Sequence, residues 1–286
     1  MKGDTDSIFL DTSIVIARLV HQPATKKRIR ERLSKYDQSV TSLVVKQEFK
    51  RRLLKEAQYL LNQLNDKKSF AVVHRHIVDI LPPQQARKRN ICMEMLSTIF
   101  EGAKDPELTE RAKRYLRQLL RVGLKDLDRS VDSLVWQLGC ACAGYPVEEK
   151  VPYRRYEFGP EKCRRVAARC GVISFFEDHL DVVRDILKTL QSIPAGDKSA
   201  ELNEAERFID RAVADPSSIC TMDPCLRVGD LLIALESLSV ESFYTMNGKE
   251  SQHLCRALNQ TLIVRPKNPE HEDVLCQSSA AKWPAF

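Results

Sequence analysis

From Gly229 to Pro266 the chain reads GDLLIALESLSVESFYTMNGKESQHLCRALNQTLIVRP, which is a helix, a strand, a helix and a strand in succession. Asp230 opens the first helix ahead of the apolar run Leu231 to Leu235. Ser242 to Met246 is rich in aromatic and β-branched residues, which suits a strand. Asn247-Gly248 turns the chain into a helix carrying His253, Leu254, Ala257 and Leu258, and Thr261 to Val264 forms a second short strand before Pro266. Asp230 therefore lies at a helix start and Asn247 at the carboxyl end of a strand, the end at which open α/β sheets place their ligands. Such a module calls for a partner strand that brings more carboxylates.

The amino-terminal stretch supplies one. Ser7-Ile8-Phe9-Leu10 is a short apolar strand that ends at Asp11-Thr12-Ser13, and Ile14, Val15, Ile16, Leu19 and Val20 continue as a buried helix. Thr12 or Ser13 is the expected cap of that helix, and Asp11 is either a further cap or a metal ligand. Gln38 to Ser42 reads as a second strand. The helix that follows, from Leu43 to about Leu64, has apolar positions near a 3.6-residue period and carries Glu48 in its first turns. Taken alone, Glu48 reads first as a surface glutamate favoured by the helix dipole.

Between 65 and 199 the pattern is mostly helical, with a helix expected over 130–143 and a loop over 144–160. The residues after 266 read as a polar tail, either docked or flexible. The expected division is thus a discontinuous core of 1–64 and 200–266, a helical insertion of 65–199 and a tail of 267–286.

The strand–Asp11–helix, the helix with Glu48, the helix with Asp230 and the strand leading to Asn247 together resemble the PIN-domain family of metal-dependent ribonucleases. The residues that carry the resemblance are Ile8-Phe9-Leu10-Asp11-Thr12-Ser13, Thr41-Ser42 leading to Glu48, Asp230-Leu231-Leu232-Ile233-Ala234 and Tyr244-Thr245-Met246-Asn247. The resemblance spans roughly residues 7–60 and 200–265 and leaves about half of the chain outside it. The resemblance implies a mostly parallel sheet flanked by helices, with the long helical segment as an insertion. It also implies Mg²⁺ or Mn²⁺ held by Asp11, Glu48 and Asp230, with Thr245 and Asn247 as the polar pair after the last catalytic strand. Many family members carry an acid where Asn247 stands, and Asp223 is a candidate replacement.

The implied activity is endoribonucleolytic, by in-line attack of a metal-activated water on a phosphodiester. It extends to a toxin-like or defence role under a regulatory protein partner. RNA is the expected substrate, with DNA not excluded. The alternative is a PIN-like scaffold without catalysis that binds RNA or a protein, a reading favoured by Asn247. A third reading, a mainly helical interaction protein, treats the acids as caps alone.

Charge supports a polyanionic partner. The net charge of +6 is modest, but the cations are clustered, at Lys26 to Arg32, Lys46 to Lys55, Arg87 to Arg89, Arg111 to Arg121 and Arg154 to Arg169. Lys46, Arg51 and Arg52, flanking Glu48, are the candidate contacts to a nucleic-acid backbone; solvated helix faces are the competing reading. Nine cysteines without a secretory pattern indicate reduced thiols in a cytoplasmic protein. Cys163 and Cys170, with Cys220 and Cys225, are a candidate structural zinc set, set against buried thiols acting as small hydrophobes.

Overall fold

A computed structural model describes residues 6–82, 85–99, 104–135, 137–138, 148–150, 155–157, 171–194, 196, 198–219, 225, 228–268 and 270–277. In chain order, β1 is Ser7–Leu10, α1 Thr12–Val20, α2 Pro23–Leu33 and β2 Gln38–Ser42. One long helical run then begins as α3 (Leu43–Phe49), passes through a π-helical turn at Lys50–Leu54 and continues as α4 (Lys55–Lys67). The helical segment α5 (Phe70–Arg75), α6 (Ala86–Ile99) and α7 (Asp105–Arg129) leads to β3 (Ser133–Val135). A small antiparallel pair, β4 (Glu148–Lys150) and β5 (Arg155–Glu157), precedes α8 (Val172–Asp178), α9 (Leu180–Gln191) and α10 (Ala200–Ala214). The carboxyl-terminal module is α11 (Gly229–Glu236), β6 (Ser242–Thr245), α12 (Gly248–Ala257), β7 (Thr261–Val264) and β8 (Val274–Cys276).

The main sheet has the order β3-β2-β1-β6-β7-β8. Its first five strands are parallel and β8 runs antiparallel at the edge. β1 lies at the centre, with Phe9 opposite Val40 on one side and Phe243 on the other. The rings of Phe9 and Phe243 stack at 5.4 Å. Near-continuous apolar strands such as Ile8-Phe9-Leu10 and Leu262-Ile263-Val264 are what a parallel sheet covered on its faces requires, and all six side chains are buried.

Two local expectations are corrected, and the polar tail, read as docked or flexible, is docked in part. The helix expected over 130–143 gives way at Ser133–Val135 to an edge strand parallel to β2. Asp132 anchors it there, accepting from both the backbone N–H and the hydroxyl of Ser39 at 2.7 Å. The loop expected over 144–160 contains the paired strands β4 and β5. Within the tail expected after 266, Val274–Cys276 joins the sheet beside β7.

A buried ionic cluster fastens that last strand. Asp273 accepts from Arg265 Nη1 at 2.9 Å, from Arg32 Nε at 2.7 Å and from the Tyr244 hydroxyl at 3.2 Å. The Asp273 side chain is 4% exposed, Arg265 1% and Arg32 14%. Arg265 also donates to the carbonyls of Pro266, Asn268 and His271. The cluster therefore joins α2, β6 and the β7–β8 connection at one point.

Among the described residues, no helix is long and apolar enough to cross a membrane. The six-stranded sheet also counts against the mainly helical reading, which calls for almost no strand.

Candidate active site

Between β1 and β6 the chain order of the sheet reverses, since β2 lies on one side of β1 and β6 on the other. Beyond the carboxyl ends of parallel strands, such a switch point leaves a crevice. A cleft of about 690 Å³ opens there, and Asp11, Ser13, Arg52, Asp230, Asn247 and Glu250 are among its lining residues. Ile91, Met93 and Glu94 of α6 form part of its wall, so the helical segment contributes to the site. A larger cavity, about 810 Å³, lies among α5, α6 and α7 and is lined mainly by apolar groups. Of its two acids, Asp105 is taken up by Ser69 and the Ala71 N–H and Asp79 stands alone, so the smaller cleft is the one where several carboxylates share a wall.

Asp11 leaves β1 and caps α1 itself; the cap is neither Thr12 nor Ser13. Its Oδ2 accepts from the Ser13 hydroxyl at 2.7 Å, the Thr245 hydroxyl at 2.8 Å and the Ser13 N–H at 3.4 Å. Those hydroxyls are themselves oriented. Ser13 Oγ accepts from the Met246 N–H and Thr245 Oγ1 from the Asn247 N–H, each at 2.9 Å. The backbone N–H of Asp11 donates to the Tyr244 carbonyl at 3.0 Å. Two relays from the β6–α12 junction thus converge on one oxygen of Asp11. Its other oxygen, Oδ1, makes no hydrogen bond among the described residues.

Glu48 is held differently. Its Oε2 accepts from the Thr12 hydroxyl at 2.7 Å and its Oε1 from Arg52 Nη2 at 2.8 Å. A Cβ on Gly229 would stand 3.3 Å from Oε1. Glycine therefore lets the carboxylate close on the first turn of α11, which carries Asp230. Arg52 sits in the π-helical turn, a backbone feature frequent at functional sites.

Asp230 is exposed to the cleft by surface area, although protein surrounds the recess in which it stands. Its carboxyl is pushed up to about 7, first by desolvation in that recess, next by Glu48, with Asp11 and Glu250 adding and Arg52 opposing. Open water at its surface weakens both effects and leaves the direction upward. Asn247 caps α12 by position and donates through Nδ2 to Glu250 Oε2.

Of the residues expected from sequence, Asp11, Asp230, Asn247 and Arg52 line the cleft, Thr245 braces Asp11, and Glu48 stands behind Arg52. Lys46 pairs with both oxygens of Asp128 at 2.6 and 2.8 Å and is not among the residues that line the cleft. Arg51 lines a separate small recess with Gly229 and Leu232. Asp223 and the cysteines Cys163, Cys170 and Cys220 lie outside the described residues, and Cys225 is half-buried. Sequence reasoning missed Glu250 as a cleft carboxylate; the signal was the Asn-x-x-Glu spacing at a helix start. It also left Ser13 as a cap and not as a brace of Asp11.

Among the described residues, no three His, Cys, Asp or Glu side chains converge closely enough to cage a metal ion. Magnesium-type ions are commonly held by one or two carboxylates with waters and substrate phosphate. The hard oxygens of Asp11 Oδ1 and Asp230 at the cleft fit that mode and do not fit an all-protein cage. Comparison with protein-family models, curated proteins and solved structures finds no match.

Proposed function

We propose that this chain is a metal-dependent nuclease that hydrolyses phosphodiester bonds of RNA in the cleft between β1 and β6. The observation that carries the reading is the meeting of Asp11, Asp230, Glu250 and Arg52 at the switch point of a mostly parallel sheet. A divalent cation of the magnesium or manganese type, when bound, supplies an activated water and neutralises charge building on the phosphate. Asp11 Oδ1 and the Asp230 carboxylate are the oxygens that would hold it.

The protein's own contribution is preorganisation. Ser13 and Thr245 fix Asp11 from the side away from its open oxygen. Thr12 and Arg52 fix Glu48, whose negative charge keeps the guanidinium at the cleft. Arg52 is placed to meet a non-bridging phosphate oxygen, a geometry for which its planar fork is suited. RNA as the substrate follows from the family resemblance; the chemistry itself is shared with DNA.

A second reading, a binding scaffold without catalysis, is favoured by one observation: both oxygens of Glu48 already have donors. Cleavage of single-stranded and structured RNA, and of DNA, is measured with Mn²⁺ or Mg²⁺ for the wild type and Asp11→Asn. Metal-dependent cleavage abolished in Asp11→Asn is expected. Binding without cleavage under either metal selects the scaffold, and full activity in Asp11→Asn removes this cleft as the site.

A further inference from the structure

The helix α7 buries one face and presents another made almost entirely of cations. Leu108, Ala112, Leu116, Leu119, Leu120 and Leu127 are buried, and Gly123 lets the helix approach Leu54 of the π-helical turn closely. Arg114, Gln118, Arg121, Lys125 and Arg129 are all exposed. At spacings of four, three, four and four residues they lie along one side of the helix. From Arg114 to Arg129 the row is about 22 Å long at the rise of an α-helix. No large apolar side chain of α7 is exposed.

Four acids of α7 lie near this row: Glu107 and Glu110 before it, Asp126 half-buried to one side of it, and Asp128 beside Arg129. Asp128 is held by Lys46, and Glu110 pairs with Lys113. Arg114, Arg121, Lys125 and Arg129 make no ion pair among the described residues. The helix dipole favours cations only in the last turn, which accounts for Arg129 and leaves Arg114 and Arg121 unexplained. Arg121 and Lys125, and Lys125 and Arg129, are like charges four apart, an arrangement that destabilises a helix by itself. A merely solvated face would interleave acids. A protein-docking face would carry an apolar centre. Neither is present.

We propose that this face of α7 is a second nucleic-acid contact, a track for the phosphate backbone of a single strand outside the cleft. It rests on the nucleic-acid reading above but not on catalysis. α7 packs against α6, which walls the cleft, and against the turn that carries Arg52. The track and the cleft therefore belong to one helical layer. Three of its four cations are arginines, whose forks suit phosphate oxygens. Such contacts position a strand without reading its sequence.

The test is salt-dependent binding of a single-stranded RNA oligonucleotide in EDTA, using Asp11→Asn as background so that nothing is cut. The quadruple variant Arg114→Gln, Arg121→Gln, Lys125→Gln, Arg129→Gln is compared with that background. Each lost phosphate contact lowers the slope of log K against log salt by about 0.7 for a single strand, so a slope shallower by about 3 is expected. A control quadruple, Lys27→Gln, Arg28→Gln, Arg184→Gln, Lys188→Gln, removes the same charge from α2 and α9 and is expected to leave the slope within about one contact of the background. An unchanged slope in the α7 variant, or an equal loss in the control, overturns the track. Competition by polyglutamate as effective as that by RNA also overturns it, in favour of an acidic protein. The conservative set with lysine at Arg114, Arg121 and Arg129 is expected to restore binding, which separates charge loss from misfolding. Failure of cleavage in the wild type leaves all these outcomes readable.

Discussion

Replacing Asp273 by asparagine tests whether the carboxyl-terminal strand is held by one ionic cluster. The change keeps the shape of the side chain and removes its charge. Arg265, 1% exposed, and Arg32, 14% exposed, then share no carboxylate. Breaking a buried ion pair by removing one partner costs about 3–5 kcal/mol, because the other charge stays buried and uncompensated. Three carbonyls still accept from Arg265, and the new amide oxygen can replace one acceptor, which places the expectation at the lower end, about 3 kcal/mol. For a chain of this size, roughly 2 °C per kcal/mol gives a fall of about 6 °C in melting temperature.

Urea unfolding followed by circular dichroism measures it, with Arg265→Met and the double variant completing a cycle. If the cluster acts as a unit, the double variant costs less than the sum of the singles by about 0.5–3 kcal/mol. A loss below about 1 kcal/mol for Asp273→Asn, or strict additivity in the cycle, would refute the reasoning.

Thr245→Val removes one of two hydroxyl donors to Asp11 and the acceptor of the Asn247 N–H. A stability loss of about 1.5–3 kcal/mol is expected for a hydrogen bond to a charged group, with a larger proportional fall in cleavage than in RNA affinity; equal falls in both would count against a positioning role. Burial lowers the pKa of His21 from its ordinary 6.5, with Lys26 adding and Glu94 opposing. The unfolded chain then takes up the proton first, so this contribution to stability is present above pH 6.5 and is lost as pH falls below it. Urea midpoints at pH 7.5 and 5.5 are expected to fall less in His21→Asn than in the wild type, and an identical fall in both would show that His21 is not held neutral.

The parts of the fold legible in the sequence were those with a local signature. An apolar run ending in Asp11, and the alternation from Gly229 onward, need only neighbours along the chain to be recognised. β3 was not legible, because three residues are too few to show a period and Leu134 and Val135 fit a helix equally well. Its identity comes from Asp132 bonding Ser39, 93 residues away. β8 was hidden for the same reason, since its polar surroundings carry a clamp whose partners Arg32 and Tyr244 lie far upstream. In the site, residue types and order were readable, but the division of labour was not. That Asp11 keeps one oxygen open while Glu48 keeps none depends on Thr12, Ser13, Arg52 and Thr245 meeting in space.

The central pairing of β1 with β6 also sets when the site can exist. The bond from Thr245 to Asp11 spans 234 residues. During synthesis at about 5–20 residues per second, roughly 12–47 s separate the appearance of Asp11 from that of its brace. Over that interval the ribosome carries a chain with one acid uncorrected in position and Asp230, for most of the time, not yet made. On the nuclease reading, a half-made molecule is harmless to the RNA machine that is making it. On that same reading, the cleft takes its working form only once Thr245 has reached Asp11.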